Sequence, residues 1–94
     1  MSEITTFKLR IKGKVQGVGY RDWAIEQAKA RGLNGWVRNR SDGTVELLIS
    51  GPDKVVQDML GACTMGPEAA SVSNIDILNE KTAPDAGFAR RPSL

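Results

Sequence analysis

An Asp42-Gly43 pair stands between two β-rich runs, Gly35 to Arg40 and Thr44 to Ile49. Turns of this composition match the twist of paired antiparallel strands, so the middle of the chain must fold back on itself as a hairpin. Side chains alternate across a strand. Val45, Leu47 and Ile49 therefore share one face, and Thr44, Glu46 and Ser50 the other. On the partner arm Val37 and Asn39 share a face, opposite Trp36 and Arg38. One apolar face is thus created mid-chain, and the flanks have to cover it.

On the N-terminal side, Phe7-Lys8-Leu9-Arg10-Ile11-Lys12 alternates apolar and basic residues, the pattern of a half-buried strand. It predicts a strand from about Phe7 to Lys14, after a frayed polar start at Met1 to Thr6. Phe7, Leu9 and Ile11 face the core. Lys8, Arg10, Lys12 and Lys14 face away and read as the solvated side of a sheet. Asp22 to Arg31 reads as a helix that buries Ala24 and Ala28, one turn apart. Arg31-Gly32-Leu33 is a helix stop.

The C-terminal side mirrors this order. Gly51-Pro52-Asp53 opens a second helix whose apolar stripe is Val56, Met59, Leu60 and Cys63. Gly66-Pro67 ends it. Val72, Ile75 and Ile77 mark a fourth strand, with a change of parity between Val72 and Ile75 that reads as a bulge or a late start. Phe88 to Arg91 alternates poorly and is the weakest strand signal of the chain. The order β-α-β-β-α-β is the split β-α-β arrangement of the α+β class: a four-stranded antiparallel sheet with both helices on one face. No repeat, biased segment or linker divides residues 1–94, so one domain is expected.

Between the first strand and the first helix lies Val15-Gln16-Gly17-Val18-Gly19-Tyr20-Arg21. A glycine-punctuated loop entering a helix gathers free backbone N–H groups at the positive end of the helix dipole, and Arg21 adds a fork of donors. The stretch reads as a cradle for a phosphoryl group. Asp22 occupies the third-glycine position of a dinucleotide fingerprint, and no Gly-Lys-Ser/Thr follows, so neither that fingerprint nor a Walker loop is present. Asn39 has a plain reading, an amide that starts the Asn-Arg-Ser-Asp-Gly bend.

The inventory of the chain narrows the chemistry. There is no histidine and one cysteine in 94 residues. Disulfide frameworks, the usual zinc sites and His-activated nucleophiles are all excluded. Cys63, on an apolar stripe, reads as a small core residue. A net charge of +2 favours neither nucleic acid nor membrane. With no secretion signal and no spanning apolar run, the cytoplasm is the expected location.

Val15-Gln16-Gly17-Val18-Gly19-Tyr20-Arg21, followed by Gly32-Leu33-x-Gly35-Trp36-Val37-Arg38-Asn39-x-x-Asp42-Gly43-x-Val45-Glu46, resembles the acylphosphatase family. The similarity continues through Gly51, Gly66-Pro67 and Val72. It implies the ferredoxin-like sandwich and hydrolysis of acyl phosphates to a carboxylate and inorganic phosphate. It also implies that the amides of Val15, Gln16, Gly17, Val18, Gly19 and Tyr20, with Arg21, bind the phosphate, and that Asn39 orients the attacking water. A carboxylate leaves readily, so no general acid is needed and the absence of histidine fits. Neither metal nor other cofactor is expected, and inorganic phosphate should act as product and inhibitor of a monomer. One departure stands in the tail, where Arg90 occupies the place of a second apolar residue of the last strand. Two other readings share this fold. An RNA-binding sheet would need an aromatic pair on its open face, which the sequence lacks. A carbamoyl-phosphate-handling relative inside a larger maturation enzyme would be expected to carry a linker.

Overall fold

The computed structural model describes residues 3–94. Its elements are β1 (Ile4–Lys14), α1 (Tyr20–Ala30), β2 (Asn34–Asn39), β3 (Val45–Pro52), α2 (Asp53–Met65), β4 (Ser71–Asn79) and β5 (Phe88–Arg90). They form one sheet in the order β4-β1-β3-β2-β5. β3 pairs antiparallel with both β1 and β2, and β1 pairs antiparallel with β4. Each helix therefore links two parallel strands with a third strand between them, which is the split β-α-β arrangement.

Three expectations are corrected. The sheet has five strands and is mixed, because β5 pairs parallel with β2, Gly35 opposite Phe88 and Val37 opposite Arg90. A three-residue strand shows almost no alternation, so only its pairing partner identifies it. Second, β1 starts at Ile4. Thr5 and Thr6 lie opposite Gly51 and Ser50, and the buried Thr6 and Ser50 hydroxyls sit 2.7 Å apart. The predicted fraying is thus wrong for Ile4 to Thr6, while Met1 and Ser2 lie outside the described residues. Third, α1 starts at Tyr20, ahead of the expected Asp22. The parity change in β4 is a register shift: Lys12 faces Asn74 but Gly13 faces Val72.

The helices cover one face. Leu9, Ile11, Val37, Val45, Leu47 and Ile49 of the sheet meet Ala24 and Ala28 of α1 and Val56, Met59 and Cys63 of α2, all essentially buried. Small residues on α1 let it sit close to the strands. Tyr20 fixes the helices to each other, its hydroxyl donating to the Cys63 carbonyl at 2.6 Å.

The other face is organised around one carboxylate. Register places Asp76, Arg10, Glu46 and Arg38 side by side across β4, β1, β3 and β2. Glu46 is 2% exposed and accepts from Arg38 Nε at 2.7 Å, with Arg40 and Arg10 nitrogens at 3.4 and 3.5 Å. Lys8 pairs with Glu80 at 3.0 Å and Lys12 with Asp76 at 2.9 Å. The guanidinium groups of Arg38 and Arg91 lie over the Trp36 ring, 4.9 and 4.6 Å from its centre. Lys8, Arg10, Lys12, Arg38 and Arg40 thus each have a carboxylate partner on this face. Removing the charge of Glu46 leaves three arginines facing one another. Because those arginines keep some contact with water, Glu46→Gln is expected to cost about 2 kcal/mol, below the usual range for breaking a buried pair. A fall in melting temperature on the order of 10 °C would register it.

Candidate active site

Residues 15–19 connect β1 to α1. Val15 is buried and pins the start of the loop to the core. The Gln16 side chain holds it from the other side, Nε2 donating to the carbonyls of Arg40 and Thr44 at 2.8 and 2.9 Å. The loop is thereby fastened to the tip of the β2–β3 hairpin. Gly17 and Gly19 have φ of 74° and 81°, left-handed values that cost any other residue strain. A Cβ at either position would touch nothing within 4 Å. Glycine is needed here to turn the backbone, not to make room.

No side chain caps α1 at Gly19, and the bond from Trp23 N to Gly19 O, at 3.0 Å, begins the ladder. The amides of Tyr20, Arg21 and Asp22 precede the first N–H that helix geometry can satisfy. They project from the helix end where negative charge is favoured.

Asn39 closes β2 on the helix-covered side of the sheet. Its amide plays no part in the bend. That bend is held by Arg40 N to Thr44 O at 2.9 Å, Gly43 N to Arg40 O at 3.1 Å, and Asp42 Oδ1 accepting from the Thr44 N–H and hydroxyl at 3.0 and 2.6 Å. The Thr44 bonds, with lesser help from Arg40 and Arg10, hold the Asp42 carboxyl below its ordinary range. The turn-starting role suggested by the sequence thus belongs to Asp42. Asn39 Oδ1 is buried and, among the described residues, accepts no hydrogen bond. Buried acceptors without partners are rare and call for an explanation.

These parts converge on a cavity of about 130 Å³. Val15, Gly17, Gly19, Tyr20 and Arg21 form one side and Asn39 another, with Asp22 and Arg90 completing the wall. That is well under the ~300 Å³ at which small-molecule sites usually begin. It suits a group of a few atoms, such as a phosphoryl. Gln16 and Val18 are not among the lining residues, and the Gln16 side chain turns toward the hairpin instead. In the sequence Arg90 reads only as a misfit on the last strand. Its parity with the buried Phe88, which puts it on the helix side, was the available signal. A larger cavity of about 360 Å³ opens beside Trp36, Pro84 and Phe88. It contains neither the loop amides nor the spare amide of Asn39.

Cys63 is fully buried against Tyr20, and burial pushes its thiol up to about 12. Burial first, and the neighbouring Cys63 next, also raise the Tyr20 phenol above its ordinary value. Neither group ionises near neutral pH. Cys63→Ala is expected to leave turnover within a few-fold of the parent while costing roughly 1 kcal/mol of stability through the small cavity it opens. Parallel rate and melting measurements check both halves. Among the described residues, no cluster of three or more His, Cys, Asp or Glu side chains is placed to hold a metal ion.

The profile of the acylphosphatase family matches residues 7–90. An acylphosphatase of Rhodospirillum rubrum is 51% identical over 89 residues, covering 95% of this chain and 98% of that protein. The crystal structure of acylphosphatase from Bacillus subtilis superposes with a TM-score of 0.88 at 31% identity, covering 95% of this chain and 99% of that one. The structure of an acylphosphatase from Coxiella burnetii gives 0.89 at 32%, covering 94% and 93%. With its ferredoxin-like fold and a similarity that runs through the loop, the hairpin and both helices, this chain belongs to the acylphosphatase family.

Proposed function

We infer that this chain hydrolyses acyl phosphates, with the phosphoryl group held by the 15–21 loop and Arg21 and the attacking water aimed by Asn39. The observation that carries the assignment of roles is the buried Oδ1 of Asn39, without a partner among the described residues, on a side chain that lines the same small cavity as Arg21 and the left-handed glycines. The N–H groups around Gly17 to Tyr20 and the Arg21 fork surround the phosphoryl oxygens, stabilising charge as it redistributes. Asn39 Oδ1 accepts from a water, leaving one of its lone pairs directed at phosphorus. The water oxygen forms the new bond to phosphorus as the bond from phosphorus to the acyl oxygen breaks. The carboxylate leaves with that electron pair, and the proton of the water passes to a phosphoryl oxygen of the substrate. No side-chain acid, base or metal enters the scheme.

A direct test is phosphate release from acetyl phosphate, with inorganic phosphate as a competitive inhibitor and a chelator without effect. Chelator-sensitive activity restored by a divalent ion would defeat the scheme. Among the described residues no helix is long and apolar enough to cross a membrane. The chain is assigned to the cytoplasm and to a monomer, the latter because one copy supplies every group the scheme uses. The RNA-binding alternative is not favoured, because Lys8, Arg10, Lys12 and Arg38 of the open face each have a carboxylate partner and Trp36 is 7% exposed beside the guanidinium groups of Arg38 and Arg91.

A further inference from the structure

Arg90 is the group that the scheme above does not use. Period-two alternation along β5 places it on the same side as the buried Phe88, facing the helices, where the strand pattern calls for an apolar residue. Opposite Val37 in β2, it stands two residues short of the Asn39 level and reaches α1, where Nη2 donates to Asp22 Oδ1. Among the described residues that is its one side-chain hydrogen bond. The other N–H groups of the fork are free to meet a ligand. Arg90 and Asp22 are both solvent-accessible, so their pairing contributes little to stability. Its position matters more, since both line the cavity that holds Arg21.

We propose that Arg90 is a specificity-determining residue, a second cation at the mouth of the site that favours acyl phosphates whose acyl portion carries its own negative charge. The inference rests on the acylphosphatase reading. The cavity accommodates only a few atoms beyond the phosphoryl group, so an acyl chain must leave it past the rim. There it meets two opposed charges. Asp22 repels an anionic tail and Arg90 attracts it. Asp22 occupies one of five donors on the fork, so a substrate carboxylate can be bound bidentately without breaking the pair. A neutral acyl group gains nothing from this arrangement.

The test compares kcat/KM for succinyl phosphate, whose tail is a carboxylate, with acetyl phosphate, whose tail is a methyl group. Taking the ratio cancels any effect on the shared phosphoryl group. Arg90→Gln is expected to lower the ratio about fivefold, the scale of a partly exposed charge pair, chiefly through KM. Asp22→Asn is expected to raise it two- to threefold, on the order expected from removing one screened repulsion. High salt should draw the parent ratio toward that of Arg90→Gln. A purely structural pair predicts something different: breaking it from either side shifts both substrates together and leaves the ratio alone. A ratio that does not move, or that moves the same way in both variants, overturns the proposal while acetyl phosphate turnover stands. If the parent protein hydrolyses neither compound, the acylphosphatase reading falls first and this inference with it.

Discussion

Arg21→Ala is expected to lower kcat/KM for an acyl phosphate by about 10³ or more, the scale at which a guanidinium stabilises phosphoryl-transfer charge. Arg21 is the permanent cation of the cradle and sits in the first turn of α1, where a positive charge opposes the helix dipole. A residue placed against its local preference is stabilised by its ligand. Two consequences follow. Loss of Arg21 should weaken inorganic phosphate binding as well as turnover, because in the proposed scheme the guanidinium contacts phosphoryl oxygens before and during reaction. It should not destabilise the protein, and removing the cation from the helix start is expected to raise stability by a few tenths of a kcal/mol. Arg21→Lys keeps the charge but loses the planar fork, so it should recover little of the loss. Titration of phosphate, a melting curve and steady-state kinetics on both variants decide the matter. Full activity in Arg21→Lys would show that charge alone suffices and would remove the bidentate role.

Asn39→Ala is expected to separate from this in kind. In the proposed scheme its Oδ1 accepts from a water that matters chiefly as the bond to phosphorus forms. Removing such a group lowers kcat and kcat/KM together and leaves KM nearly unchanged. A lost transition-state hydrogen-bonding group typically costs about 10²–10³ in rate, roughly 3–4 kcal/mol. The melting temperature should hardly move, because the bend beside Asn39 is carried by Asp42 and Thr44. A role in forming the turn would show the opposite signature, with about 1 kcal/mol of stability lost and activity mostly intact. A less stable but active Asn39→Ala protein would thus return the residue to the turn. Asp42→Ala is the matched control, losing the Thr44 bonds in the hairpin while leaving the cavity lining as it is.

Local chemistry was legible in the chain wherever a residue's own preference and its nearest neighbours decide the outcome. The alternation of Phe7 to Lys12, the stripe from Val56 to Cys63 and the Asp42-Gly43 turn each specify an element without reference to distant parts. So do Gly17 and Gly19, whose left-handed turn needs no neighbour to require glycine. The split β-α-β order followed from these, whereas the joining of the loop and the hairpin in one site was implied only by the family resemblance. What depended on long-range pairing was not legible. β5 is too short to show a period, and only its bonds to Gly35–Val37 make it a strand. Glu46 reads as a surface residue until register places Arg10 and Arg38 on either side of it. The Asn39 amide reads as a turn former until Asp42 is seen to hold the bend and the Asn39 oxygen is left without a partner among the described residues. Arg90 changes most: in the chain it is a misfit on an apolar face, and in the fold it is a cation at the mouth of the site. Pattern records which face a side chain takes. The order of strands in the sheet decides what it finds there.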